Sequence, residues 1–143
     1  ANVVPDSFKT DLLKGTFNFD SSGGSTFKLA LYTDISGLTT STTAFTATNE
    51  VSTSGTNYTS GGNTLTNNGV AVSSNIAFVD FADLTFSSVT LSAVGALIYK
   101  SSSGNEAVLV LDFGGSKTAT NGDFVVQFPT ANSSSAIIRL GDA

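Results

Sequence analysis

Apolar residues in this chain recur at every second position, in short runs separated by clusters of Gly, Asn, Ser and Thr. Phe27, Leu29 and Leu31 alternate with Lys28, Ala30 and Tyr32; Val89, Leu91 and Ala93 repeat the pattern; Phe124, Val126 and Phe128 alternate with Val125 and Gln127. A period of two puts one face of a strand on a core and the other in solvent, so the chain is built for antiparallel sheets. Residues 1–15 are the exception. There Phe8 and Leu12 fall four apart, Asp6 can cap, Lys14 sits in the last turn, and Gly15 can stop a helix. Two turns do not persist alone in water. The segment must therefore dock, either on its own sheet or as an arm on a neighbouring subunit.

After Gly15 the alternation predicts a hairpin of Phe17–Phe19 with Phe27–Leu31, turned by Ser21-Ser22-Gly23-Gly24. Residues 36–69 are dense in Thr, Ser, Asn and Gly. The apolar anchors Phe45, Val51, Tyr58 and Leu65 predict an excursion laid on the domain surface. Gly61-Gly62-Asn63 and Asn67-Asn68-Gly69 read as turns. Strands follow at Val70–Val72, Ile76–Phe81, Val89–Tyr99, Ala107–Phe113, Phe124–Phe128 and Ala136–Leu140. Gly95, inside one of them, marks a bulge or a close backbone approach, and Ala107–Phe113 is apolar enough to be covered on both faces. Eight or nine strands without intervening helices predict an all-β fold, an antiparallel β-sandwich or jelly roll with one short N-terminal helix. A chain of 143 residues makes one domain. It spans 1–143, with 1–15 as an N-terminal helical arm.

Composition narrows the chemistry. Without Cys there is no disulfide framework, thiolate metal site or cysteine nucleophile. Without His a Ser-His-Asp triad cannot be assembled, and metal binding falls to oxygen ligands, with Asp20, Asp80 and Asp123 as the candidate calcium positions. The paired-carboxylate arrangement of glycosidases has two candidates, Asp80 with Asp83 and Asp112 with Asp123; Asp83, just after a strand, reads more simply as a turn or cap residue. No phosphate-binding glycine loop or nucleophile elbow is present, and no cofactor is expected. Eleven acidic residues against six basic ones give a net charge of −5, with no two basic residues adjacent. Neither nucleic acid nor an anionic membrane is an expected partner. The longest apolar or glycine run, Ala93–Tyr99, is far below the roughly 20 residues of a spanning helix. The first residues carry no hydrophobic signal segment.

The surface carries the most weight. Charged residues are 12% of the chain, whereas 21 Ser and 20 Thr are present. The outward faces of the strands must then be mostly Ser, Thr, Asn and Ala, which lose little rotamer entropy when covered. Such faces suit permanent contact with other subunits.

The succession Ser7-Phe8-Lys9-Thr10-Asp11-Leu12-Leu13-Lys14-Gly15, Phe27–Thr33, Asn57–Gly62, Phe81–Phe86, Val94–Tyr99, Leu111–Gly115 and Asn121–Phe124 resembles small structural proteins of tailed bacteriophages. Members often carry Trp at the position of Phe86 and Arg at that of Val94. The resemblance implies a non-enzymatic virion component made in the host cytoplasm: a head decoration, or cement, protein on the capsid surface. Its implied partners are the major capsid protein and copies of itself. Phe8, Leu12 and Leu13 are the expected contact element. The alternative is a tail-associated adhesin or carbohydrate-binding module, for which Tyr32, Tyr58 and Tyr99 are the only polar aromatic platforms.

Overall fold

The computed structural model describes residues 1–142. It contains one helix, α1 (Asp6–Leu13), and seven strands: β1 (Phe27–Tyr32), β2 (Asn63–Thr64), β3 (Asn67–Ser73), β4 (Ile76–Phe81), β5 (Leu84–Lys100), β6 (Ala107–Val126) and β7 (Ile138–Leu140). They form a four-stranded sheet in the order β2-β1-β5-β6 and a three-stranded sheet in the order β3-β4-β7. Every ladder is antiparallel. The fold is all-β and sandwich-like, as the alternation predicts.

α1 ends as the sequence implies. Gly15 takes φ +79°, its N–H donates to Leu12 O at 3.1 Å, and Thr16 N–H donates to Asp11 O at 3.0 Å. These are the paired bonds of a Schellman motif. The start differs: Pro5 is the cap and Asp6 the first helical residue. The Asp6 N–H instead finds Thr40 O at 2.9 Å, and its carboxylate complements the dipole from the first turn. The helix docks on its own domain through Phe8, which packs against Phe17 and Phe19 at ring separations of 5.1 and 6.2 Å.

The strand count is lower than expected because two runs merge and one is no strand. Phe17–Phe19 lies outside both sheets. Ser25 N–H bonds to Asn18 O, but the Asn18 and Asp20 side chains take up the Asp20 and Ser22 amides, so the backbone here is satisfied partly by local turns and not by a ladder. Phe17 and Phe19 are nevertheless buried, with Phe19 stacked on Phe27 at 4.6 Å. Asn67-Asn68-Gly69 is a bulge within β3 and not a turn, with Gly69 at φ +95°. The β3–β4 turn falls at Ser74-Asn75, both at positive φ as in a type I′ hairpin.

Ala107–Phe113 and the run toward Phe128 belong to one 20-residue strand, β6. It is not straight. Eleven residues of extended chain span about 36 Å, yet the rings of Phe113 and Phe124 lie 6.0 Å apart. The β5–β6 hairpin therefore turns a corner. Its register breaks between Ala93 and Gly95, opposite Phe113-Gly114-Gly115-Ser116, where Gly114 and Gly115 hold positive φ. Gly95 is both the bulge and the close approach expected of it. A Cβ there would stand 2.4 Å from Leu111 O and 2.7 Å from Ile35 Cγ2. The same hairpin shifts phase at Ser88, φ +55°, so that Phe86 and Val89 both face inward.

The four-stranded sheet is covered on both faces. One side carries Phe27, Leu29, Leu31, Ala96 and Ile98 into the main core, which also takes Val79 and Phe81 from β4. The other carries Ala30, Tyr32, Leu97 and Tyr99 beneath Leu38 and Phe45 of the Ser/Thr-rich excursion. One carboxylate fixes the excursion, whose Val51, Tyr58 and Leu65 enter the main core while Leu38 and Phe45 cover the other face. Glu50 accepts from Tyr58 OH, Ser60 Oγ and Gly61 N–H, each at 2.7 Å. Tyr58 OH in turn accepts the Leu31 N–H at 3.0 Å, and Tyr99 OH donates to Gly61 O at 2.6 Å.

Gly95→Ala is expected to lower unfolding free energy by about 3 kcal/mol, because the methyl meets backbone as well as Ile35. Gly37→Ala, with open space around it, should be neutral or stabilise by up to about 1 kcal/mol. Tyr58→Phe should cost about 2 kcal/mol by stranding the buried Leu31 amide and removing one of the donors to Glu50. Urea unfolding of the three variants checks all these values.

Candidate interaction surface

Two cross-strand rows set the face that the three-stranded sheet turns toward the molecule. Val70, Val79 and Ile138 share one row, and Val72, Ala77 and Leu140 share the next, so their side chains project to the same side. Val79 is buried in the core. The row beyond it overhangs, leaving Val72 71% and Leu140 60% exposed, and on the outer strand of Val79's own row Val70 is 57% exposed. α1 lies alongside and adds Leu13, 85% exposed. Between α1 and β7 runs a groove of about 640 Å³, with Val4, Phe8, Leu12, Leu13, Ile138 and Leu140 among its walls. A smaller hollow of about 160 Å³ shares Leu12, Ile138 and Leu140 and extends to Val70. The two make one apolar trough. Lys9 and Arg139 stand at the larger groove. Lys9 pairs with Asp6 at 3.1 Å, while Arg139 makes no ion pair among the described residues.

The expected contact element thus divides. Phe8 is buried in its own core, Leu12 is half-buried against that core and lines the trough, and Leu13 is open. The helix is docked on its own sheet, with only one of its sides presented outward. Val70, Val72 and Leu140 complete the surface and were read in the sequence only as strand residues. Alternation gave their direction, but not the distance to which the opposing layer reaches.

Elsewhere the outward faces carry hydroxyls, as the composition requires. Thr85, Ser87, Thr90 and Ser92 on β5 and Thr118 and Thr120 on β6 are exposed, and the Ser92 and Thr118 hydroxyls bond at 2.7 Å.

The polar candidates serve the scaffold. Asp20 accepts from Ser22 N–H, Asp80 from Asn68 Nδ2 and Asp123 from Ser88 N–H. Among the described residues, no three acidic side chains converge as a metal site would need. Asp83 ties down the Phe128 N–H at 2.8 Å, and Asp112 receives the Gly114 N–H at 2.8 Å. A bond from the terminal ammonium, together with that from Gly114, holds Asp112 below the usual carboxylate range. Tyr32, Tyr58 and Tyr99 are buried, with Tyr32 OH donating to Thr46 O at 2.6 Å. None is a surface platform for a sugar ring. Comparison of the chain with family models, curated proteins and solved structures finds no match.

Burial raises the ionisation of all three tyrosines above its ordinary value, and Glu50 adds to the rise. In the unfolded chain tyrosine ionises near pH 10. The folded state therefore holds these protons more tightly, and this contribution to stability is complete below about pH 10 and lost as the pH rises above it. Urea unfolding should be steady from about pH 7 to 9 and weaken steeply above about 10. Phenolate absorbance should appear together with unfolding and not before it.

Proposed function

We propose that the chain is a non-enzymatic structural protein of a virion, a decoration or cement protein on the head of a tailed bacteriophage. It binds the major capsid protein and copies of itself. The observation that carries the reading is the apolar trough between α1 and β7, set in a chain whose other outward faces are hydroxyls and nearly bare of ions. Exposed apolar residues gathered on one side mark a contact surface. Covering one such Leu or Val contributes about 1.5–3 kcal/mol at most, which alone holds nothing firmly. On a lattice that presents many sites at once, weak contacts of this kind add up. The adhesin alternative draws less support, since its aromatic platforms lie inside the fold.

Counting the protein in purified particles tests the reading. The expected result is a copy number comparable with that of the major capsid protein, located on the head. Absence from heads, or a few copies at the tail, would overturn it, and the tail location would favour the adhesin. Leu13→Lys should leave the fold intact, because that side chain is open to solvent, and weaken binding to heads lacking the protein at least tenfold, equivalent to about 1.4 kcal/mol.

A further inference from the structure

A sheet edge offers unpaired amides and carbonyls to any passing strand, and proteins normally blunt it. Three of the four edges here are blunted. β2 has two residues, and β7 has three and carries Arg139. The outer side of β6 is crossed near its start by Val3, which exchanges backbone bonds with Val110, and by Asn2 Oδ1, which accepts the Asp112 N–H, and its far half carries Lys117 and Asp123. β3 is left. Its seven residues, Asn67-Asn68-Gly69-Val70-Ala71-Val72-Ser73, contain no charge and no proline, and they pair only with β4. Its one irregularity lies at the Asn67–Gly69 end, so the ladder with β4 is regular from Gly69 to Ser73.

We propose that β3 pairs with β3 of a second copy of this chain, antiparallel about a twofold axis at Ala71, joining two three-stranded sheets into one of six strands. That register sets Val70 of each copy opposite Val72 of the other. Paired residues share a face, so four half-open valines close on one another on the side where the trough begins. An isologous contact of this sort needs only self-complementarity.

The self-complementary Val70 and Val72 row singles out the second copy as occupant, and the absence of charge on β3 permits it. Two chains of net charge −5 repel, and they meet most easily where that charge is absent. Asp80 lies one strand in and is held by Asn68 Nδ2 at 2.8 Å. Across the joined edge the two copies of Asp80 stand three strand spacings apart laterally and four residues apart along the strands, roughly 20 Å in all. That exceeds the Debye length of about 8 Å at physiological salt. The regular run is about 17 Å long, so the contact falls short of the roughly 800 Å² per partner of a standard interface. The dimer is therefore expected to dissociate in the micromolar range.

Sedimentation equilibrium of the full chain from about 1 μM to about 1 mM provides the test. Mass should rise from that of one chain to that of two and stop there. Val72→Lys should weaken dimerisation at least tenfold. Ala71→Lys, exposed at the axis on the opposite face, should do the same by setting two ammonium groups across from each other, and it covers the case in which Val72→Lys fails to fold. Val125→Lys, also at an exposed apolar residue but on β6, should leave the dimer unchanged. Amide exchange in β3 should slow with concentration in the unsubstituted chain. A monomer throughout, a trimer, or a dimer insensitive to both β3 substitutions would each overturn the proposal. The assay contains no capsid, so its outcome is separate from that of particle binding.

Discussion

Glu50 is the point at which a long, hydroxyl-rich segment becomes a layer of the protein. Its two oxygens gather a tyrosine hydroxyl, a serine hydroxyl and a backbone amide. Through Tyr58 the same carboxylate reaches the amide of Leu31 in the middle of β1. Most hydrogen bonds contribute little net stability, but a buried donor left without a partner is costly. The excursion thus has few arrangements open to it, because β1 and Gly61 must both be satisfied from one place. With it in position, Leu38 and Phe45 cover the sheet face that would otherwise be wet. The four-stranded sheet can then be apolar on both sides in a chain whose overall composition is modest in apolar residues.

Much of this was legible residue by residue. Period-two alternation located β1, β4 and the buried sides of β5 and β6, and Gly15 gave the helix end. Gly95 announced a bulge because nothing larger fits against Leu111 O. The misreadings have physical causes. Phe17 and Phe19 alternate like strand residues and are buried like them, but their neighbours Asn18, Asp20 and Ser25 satisfy the backbone locally. Asparagine and glycine at 67–69 signal positive φ equally in a turn and in a bulge. The corner in β5–β6 was invisible as continuity, since a twin-glycine stretch reads as a break between two strands. The interaction surface was half visible: Leu12 followed from helical spacing and Leu13 from the expected contact element, whereas Val70, Val72 and Leu140 depend on where one layer stops short of another.

The outside of the molecule is divided in kind. The β5–β6 hairpin shows hydroxyls that bond to one another as well as to water, while α1 and the three-stranded sheet show aliphatic carbon. Few long charged side chains stand between these regions to be desolvated or frozen when a partner arrives. Association at either region therefore costs little beyond the loss of free tumbling, and the apolar side supplies the net gain.

The place of β1 has a consequence for how the protein is made. Its ladder partners, β2 and β5, both come later in the chain, and β5 itself needs β6. During synthesis β1 waits, unable to close any sheet, until the long hairpin has left the ribosome. Contacts so distant in sequence put the chain among slow all-β folders, on a scale of milliseconds to seconds. What lies between β1 and β3 meanwhile is the Thr, Ser and Asn tract of residues 36–69, whose apolar residues stand singly among polar ones. The stretch that later seals the sheet is also a safe one to leave exposed while the rest is still being built.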